Sequence, residues 1–356
     1  ALTTVGGHDS LVGKGLRWLA ANQNVDGGFG DAPGCPSNIS TTTLAWATLG
    51  MHDAPSTAAA ETWLREQVGG SLTAQSMAQA VSAVYGEDKT FAVPILTHCA
   101  LAGRFGWDQI PALPFELAAL PHSWFKWVGL PVVSYALPAL IAIGHAQHHH
   151  RPTRHKLGRA IRNLMRDRAL RVLESIQPTS GGFLEAIPLT SFVTMSLAGS
   201  GLVNHSVTQR GVRFLTMSMR EDGSWPIDTN LATWNTSLAL KALDNGGEDL
   251  SQLDCLDWLL GCQHDRRHPF TGASPGGWGW SDLSGAVPDC DDTPGALLAI
   301  AAWRRGAGCD QKSRERIDRA AAAGLQWILS LQNRDGGWPT FCRGWGRLPF
   351  DRSGTD

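Results

Sequence analysis

Gln332-Asn333-Arg334-Asp335-Gly336-Gly337-Trp338 follows the helical run Gly324-Leu325-Gln326-Trp327-Ile328. The same arrangement occurs far upstream, where Lys14-Gly15-Leu16-Arg17-Trp18-Leu19 leads into Gln23-Asn24-Val25-Asp26-Gly27-Gly28-Phe29. Between them stand three further copies. Arg168-Ala169-Leu170-Arg171-Val172-Leu173 precedes Gln177 and Gly181-Gly182-Phe183; Arg210-Gly211-Val212-Arg213-Phe214-Leu215 precedes Asp222-Gly223-Ser224-Trp225; Trp258 and Gln263 are followed, after an insertion, by Gly276-Gly277-Trp278. Each copy reads as an amphipathic helix that stops at Gln, a turn built on Asp-Gly or Gly-Gly, and an aromatic residue. Glycine suits a helix stop because it adopts positive φ without a Cβ clash. The Gln amide is placed to bond exposed backbone groups at a neighbouring helix end, and the aromatic to cover that junction. The third copy has Met219 where the others have Gln, which predicts a weaker junction there.

A second helix begins after each turn, as in Thr41-Thr42-Thr43-Leu44-Ala45-Trp46 and Trp234-Asn235-Thr236-Ser237-Leu238-Ala239, with Thr and Asn available as caps. The unit is a helix–turn–helix repeating at about 42 to 44 residues where it is uninterrupted. Stacked hairpins of this kind predict an all-α chain closing into α/α barrels. The intervening sequence is less regular. Gln75 to Val84 reads as a helix, and Pro111, Pro114 and Pro121 interrupt the segment after Trp107. The uncharged run from Val128 to Gly144 is shorter than the roughly 20 residues of a spanning helix and reads as a buried core helix.

Composition removes several functions. With 30 basic and 32 acidic residues there is no basic excess for nucleic acid. The 7 Cys are odd in number and unpatterned, which reads as reduced thiols rather than a disulfide framework. The chain has 15 Trp but only 2 Tyr, an imbalance that calls for structural Trp in the repeat, Trp facing a cation, or both.

Pro288-Asp289-Cys290-Asp291-Asp292-Thr293-Pro294 crowds three carboxylates just before an Ala-rich helix. Such a run ordinarily caps a helix or faces water, with Asp292 or Thr293 as the cap and Pro294 in the first turn. Neighbouring carboxylates, however, cannot all ionise cheaply, so one is pushed to remain protonated. A protonated Asp in a dry pocket is a proton donor. Magnesium would need a second acidic motif on another helix, and no convincing one is present. The triple His148-His149-His150 reads as a solvated loop, since consecutive residues seldom ligate one ion. The basic residues from Arg151 to Arg162 interleave with Leu157 and Ile161, a pattern that suits either a plain exposed helix or one touching anionic lipid.

The repeat resembles the QW repeat of terpene cyclases, and the acid segment resembles the Asp-x-Asp-Asp-Thr signature of class II cyclases, in particular the squalene–hopene cyclase family. The resemblance implies proton-initiated polycyclisation of a linear isoprenoid, squalene to a hopene-type triterpene, without metal or other cofactor. It makes Asp291 the proton donor, with Asp289 and Asp292 polarising and orienting it. It places Trp280, Trp234 and Tyr135 at carbocation-stabilising positions. Two of these differ from the family's common residue: Trp280 stands where Phe is usual, and Tyr135 where many members have Trp. It implies an N-terminal α/α barrel over 1–230 and the first part of a second over 231–356. It implies squalene or a similar linear polyprene as partner, a monotopic contact with the cytoplasmic side of the membrane, and a homodimer. Family members also extend beyond both ends of this sequence, so a missing C-terminal region or a second chain is expected to complete the barrel, and the fragment alone to be inactive. Protein prenyltransferase β subunits share the barrel and a looser repeat, but the Asp254-Cys255 and Asp289-Cys290 pairs do not reproduce their zinc-ligand arrangement. A non-catalytic helical scaffold explains the repeats but not the carboxylates beside a Trp-rich segment.

Overall fold

The computed structural model describes residues 1–85, 89–121, 124, 132–269 and 271–343; for 85, 89–91 and 132–136 it describes the backbone alone. Among the described residues the regular elements are helices, and the one β contact is an isolated antiparallel bridge between Ala186 and Asp228.

Two kinds of helix alternate, and their sequences explain their places. Ile39–Gly50 and Ile187–Gly199 carry apolar or small residues on every face and are buried nearly all round, including Thr42, Thr43, Thr190 and Thr194. A helix without a polar face must lie inside. Ser56–Val68, Lys156–Ile176 and Ser206–Met217 bury only one stripe. The inner helices Ile39–Gly50, Lys89–Leu101, Val132–His150 and Ile187–Gly199 pack in succession. Each is backed by an outer helix, in turn Ser56–Val68, Ala74–Tyr85, Lys156–Ile176 and Ser206–Met217. Further on, Ala232–Asn245 packs on Asp292–Arg305, which is backed by Gln311–Leu331. This is the layering of an α/α barrel.

The repeat turns are the joints between outer helices. Gln23 Nε2 donates to Gly27 O within its own turn at 2.8 Å and to Ser56 O, at the start of the next outer helix, at 3.0 Å. Gln177 bridges Gly181 O and Val207 O in the same way at 2.9 and 3.1 Å, and Gln263 bridges Gly276 O and Ala320 O at 2.7 and 2.9 Å. The turn lies so close to the next helix that only glycine fits. A Cβ on Gly27, at φ 86°, would meet Ala59 O at 2.8 Å. The docking helix then lays an aromatic on the turn: Trp63 Nε1 donates to Asp26 at 3.1 Å, and the Trp327 ring covers Gly277.

At the third joint no amide bridges. There Trp18 of the Asp9–Ala21 helix donates to Asp222 at 3.2 Å, and Trp225 lies over Gly15, so the early helix docks on the third turn. At the fifth, Gln332 donates to Gly336 O at 2.9 Å, Trp338 is 44% exposed, and among the described residues no helix covers the turn.

Ala74–Tyr85 is the helix read from Gln75 to Val84, and Val132–His150 contains the uncharged run as far as the structure describes it; Val128 to Pro131 lie outside the described residues. Leu137, Ile141, Ala142 and Ile143 are fully buried. The triple His is not a loop. It ends this helix, where His148 is buried and donates to Asn163 Oδ1 at 3.0 Å. His150 stacks on Trp107 at 4.2 Å and donates to Gly199 O at 2.9 Å. Helix packing, invisible in a run of three identical residues, captured two of them. Among the described residues no helix is long and apolar enough to cross a membrane.

Candidate active site

The loop from Gly276 to Thr293 is pinned at both ends by one threonine. Trp278 N–H donates to Thr293 Oγ1 at 2.9 Å, and that hydroxyl donates back to Trp278 O at 3.1 Å. Thr42 holds Phe29 by the same clasp, and Thr190 accepts from Phe183 N–H at 2.9 Å. The threonine of the acid segment is therefore a member of the repeat, a role its sequence neighbourhood hides.

Within this loop Asp289 turns back on the helix that follows. Its Oδ1 accepts from Asp291 N–H at 2.9 Å and Asp292 N–H at 2.6 Å, capping the Asp292–Arg305 helix. This corrects the expectation that Asp292 or Thr293 is the cap. Asp291 occupies the N-cap position, but its side chain makes no capping bond and is exposed. Asp289 and Asp292 are buried, at 2% and 5% exposure, and among the described residues no other group bonds Asp289 Oδ2 or Asp292 Oδ1.

Burial first, and then the neighbouring Asp292 charge, push the Asp289 carboxyl well above the ordinary carboxylate range. Burial pushes Asp292 up as well. Two buried carboxyls this close share a proton at neutral pH, because full ionisation would place two unscreened like charges side by side.

That sharing gives a stability prediction. An acid whose folded pKa is raised binds more protons in the folded state, so its contribution is present below the unfolded aspartate pKa of about 3.9 and is lost as pH rises through the raised values. The melting temperature is expected to fall as pH is raised from mildly acidic through neutral. Asp289→Asn, whose side-chain oxygen still caps the helix, is expected to flatten that fall. Thermal melts of both proteins across pH check this, and an unchanged slope in the variant removes the shared proton from the account.

A cavity of about 330 Å³ opens in front of the acid segment. Its wall includes the carboxylates Asp228, Asp291 and Asp292, the rings of Trp234, Trp280 and Phe341, and the side chains of Leu184 and Leu231. Asp291, Asp292, Trp280 and Trp234 thus meet in one place. Asp289 is not part of the cavity wall and is joined to it by its bonds to Asp291 and Asp292 N–H. Tyr135 lies on the Val132–His150 helix, with its side chain outside the described residues.

Backbone bonds bring the two tryptophans together. Thr233 and Trp234 N–H, at the start of the Ala232–Asn245 helix, both donate to Trp280 O, at 3.1 and 3.3 Å. Cys290 N–H donates to Thr340 O at 2.8 Å, which draws the fifth turn's tail over the acids and sets Phe341 edge-on to Trp280, ring centres 6.3 Å apart. On another side Leu184 and Glu185 hold left-handed φ of 52° and 57°. That conformation is costly for non-glycine residues and persists only where the surroundings impose it. Here Glu185, wholly buried, accepts from Ser281 Oγ at 2.5 Å and Gly285 N–H at 3.0 Å, tying the second turn to the acid loop.

Sequence reasoning missed Asp228, Phe341, Leu184 and Glu185. A signal was present. Each follows a repeat aromatic closely: Phe183 precedes Leu184 and Glu185, Trp225 precedes Asp228, Trp278 precedes Trp280, and Trp338 precedes Phe341. The chain leaving each turn builds the cavity wall. Among the described residues no group of three or more His, Cys, Asp or Glu side chains is arranged as metal ligands.

Inner and outer helical layers joined by clasped turns, with acids and indoles around one apolar cavity, define an α/α-barrel protein of the terpenoid-cyclase class. The chain belongs to the squalene-hopene cyclase family: residues 6–244 match the squalene-hopene cyclase N-terminal domain and residues 231–347 the C-terminal domain. Its relatives include a terpene cyclase-glycosyl transferase fusion protein of Humicola fuscoatra, 26% identical over 91% of this chain and 28% of that protein. Sporulenol synthase of Bacillus subtilis is 30% identical over 43% of this chain and 24% of its own length. Squalene–hopene cyclase of Alicyclobacillus acidocaldarius is 23% identical over 91% of this chain and 56% of its own. The chain thus spans about half the length, or less, of these relatives.

Proposed function

We propose that the full-length protein is a class II terpene cyclase acting on a linear isoprenoid, with squalene as the first substrate to test and a hopene-type triterpene as its product. The observation that carries this reading is the meeting of Asp291 and Asp292 with Trp234 and Trp280 in one apolar cavity. Asp291 delivers the proton to a terminal alkene. Asp289 and Asp292, with the proton they share, orient it and limit the negative charge beside it. Indole faces attract the cation yet are poor nucleophiles, so they stabilise it without capturing it. Tyr135 completes the aromatic set in this reading. The division at 230/231 separates an N-terminal barrel from the segment that carries the acids. The test is incubation with squalene and analysis of products by mass spectrometry. Cyclic products of unchanged mass, or of that mass plus one water, are expected; failure to convert squalene or any shorter linear polyprene removes the reading.

A substrate of this kind resides in lipid, and we read the Lys156–Ile176 helix as the peripheral membrane contact. Leu157, Ile161 and Leu164 are 65%, 43% and 75% exposed, flanked by exposed Arg154, Lys156 and Arg159. Replacing Leu157 and Leu164 together with Glu is expected to weaken co-sedimentation with anionic vesicles by about tenfold or more. Equal binding by parent and variant assigns the contact elsewhere.

A further inference from the structure

Three residues of the cavity wall, Leu184, Asp228 and Trp280, come from segments remote in sequence: the second turn, the approach to the Ala232–Asn245 helix and the acid loop. The residues that follow them in the chain, Glu185, Thr229 and Ser281, meet at one point behind the wall. Glu185 bonds both of the others. Its main-chain oxygen accepts from Thr229 N–H at 3.1 Å and from Thr229 Oγ1 at 3.2 Å. One carboxylate oxygen accepts from Ser281 Oγ at 2.5 Å and the other from Gly285 N–H at 3.0 Å. The fit has no slack, since a Cβ on Gly285 would lie 2.8 Å from Glu185 Cγ. The arrangement is unfavourable on two counts. Glu185 is wholly buried with no Lys, Arg or His paired to it among the described residues, and burial pushes its carboxyl upward. Leu184 and Glu185 both hold a left-handed φ that glycine would adopt without strain. What it secures is the mutual position of three wall residues.

We propose that Glu185 is a positioning residue for the proton transfer: by joining the chain directly behind Leu184, Asp228 and Trp280, it fixes the wall that holds the terminal alkene against Asp291. The proposal rests on the cyclase reading above. Glu185 is not part of the cavity wall and touches no substrate. It acts through the residues it ties. The line of contacts continues past Trp280, whose main-chain oxygen takes the N–H groups of Thr233 and Trp234, so both indoles depend on the same knot. A wall displaced by about 1 Å still offers apolar surface, and binding persists. The alkene is then misaligned with its donor, and an offset of that size costs up to about 10²-fold in rate.

The experiment compares the full-length parent with Glu185→Ala, Gly285→Ala and Glu185→Gln. Circular dichroism at the assay temperature gives the folded fraction, and kcat for squalene is expressed per folded molecule. Glu185→Ala and Gly285→Ala are expected to lower kcat by about tenfold or more, with KM changed by less than about threefold. Glu185→Gln should recover most of the loss seen in Glu185→Ala, because its amide oxygen can accept from Gly285 N–H while its NH₂ group donates to Ser281 Oγ. A second readout needs no substrate. The difference in tryptophan emission between each protein and its Trp280→Phe counterpart isolates Trp280. It should shift in Glu185→Ala and Gly285→Ala and return in Glu185→Gln. Gly285→Ala, the smaller disturbance, carries the comparison if Glu185→Ala does not fold. Variants that melt earlier yet keep the parent kcat per folded molecule and the parent Trp280 emission overturn the proposal, as do three variants that all fail to fold; the cyclase reading then stands. A parent that converts no linear polyprene sinks the cyclase reading itself, and the positioning role with it.

Discussion

Asp291→Asn in the full-length protein will stop cyclisation, lowering turnover by about 10²- to 10⁴-fold, and will leave the fold as it is. Asn matches Asp in shape and carries no proton that an alkene can take. The fold should tolerate the change because the Asp291 side chain caps nothing and is exposed, while the helix start is held by Asp289. Exposed substitutions of this kind usually stay within about 0.5 kcal/mol. Asp289→Asn should behave differently. It keeps an acceptor for the two backbone N–H groups but removes the shared proton, so it should slow turnover and alter the pH dependence of stability together. The pair of variants separates proton supply from charge arrangement. Turnover by Asp291→Asn near the parent rate would move the acid to Asp292 or Asp289, both of which are buried and raised.

In the proposed cyclase, the exposure of Asp291 fits a donor whose site is made dry by its substrate. Alkenes are weak bases, and protonating one requires that water not compete for the proton. Apart from its carboxylates the cavity in front of Asp291 is walled by aromatic and aliphatic carbon, and a hydrocarbon chain filling it would expel water from the carboxyl.

The fold was legible because the repeat states its own joints. Gln, Gly and an aromatic at fixed order mean one thing only when a neighbouring helix must dock on a turn, and the structure shows that docking at Gln23, Gln177 and Gln263. The site was half legible. Asp291, Asp292, Trp234 and Trp280 announce themselves by chemistry, or by a motif that resembles the family's. Asp228, Leu184 and Phe341 do not, because they lie in irregular chain leaving the turns at offsets of one to three residues, where neither helical nor strand period applies. Thr293 was misread for the opposite reason. It stands inside a recognisable acid segment, and its clasp with Trp278 depends on a hairpin whose length differs between copies. His148 and His150 were misread because adjacency hides burial: successive residues of one helix face different neighbours.

Trp278→Ala is expected to be the most destabilising single substitution in the acid-bearing half, at about 3 to 5 kcal/mol. Trp278 is fully buried, and its Nε1 donates to Leu259 O at 2.8 Å. Its ring lies where a Cβ on Gly324 would come within 2.8 Å, so the Gln311–Leu331 helix is packed directly on it. Removing the ring opens a cavity between three segments and takes one hydrogen bond from the Leu259 carbonyl, which keeps Cys262 N–H at 3.3 Å. Trp278→Phe retains most of the apolar contact and should cost about 1 to 3 kcal/mol, through the smaller ring and the lost indole hydrogen bond. Trp338, at the equivalent place in the fifth turn, donates to Ile328 O but is 44% exposed, and Trp338→Ala should cost about 1 kcal/mol. Urea unfolding of the three variants tests the order Trp278→Ala, Trp278→Phe, Trp338→Ala. Equal losses at Trp278 and Trp338 would mean that the aromatic acts within its own turn, and not through the helix docked on it. The consequence reaches the chemistry, because Asp289 N–H donates to Trp278 O at 3.0 Å and Thr293 holds the same residue from the other side. A loosened Trp278 releases the acid loop at both ends, so Trp278→Ala should lose activity at temperatures where the remainder of the protein is still folded.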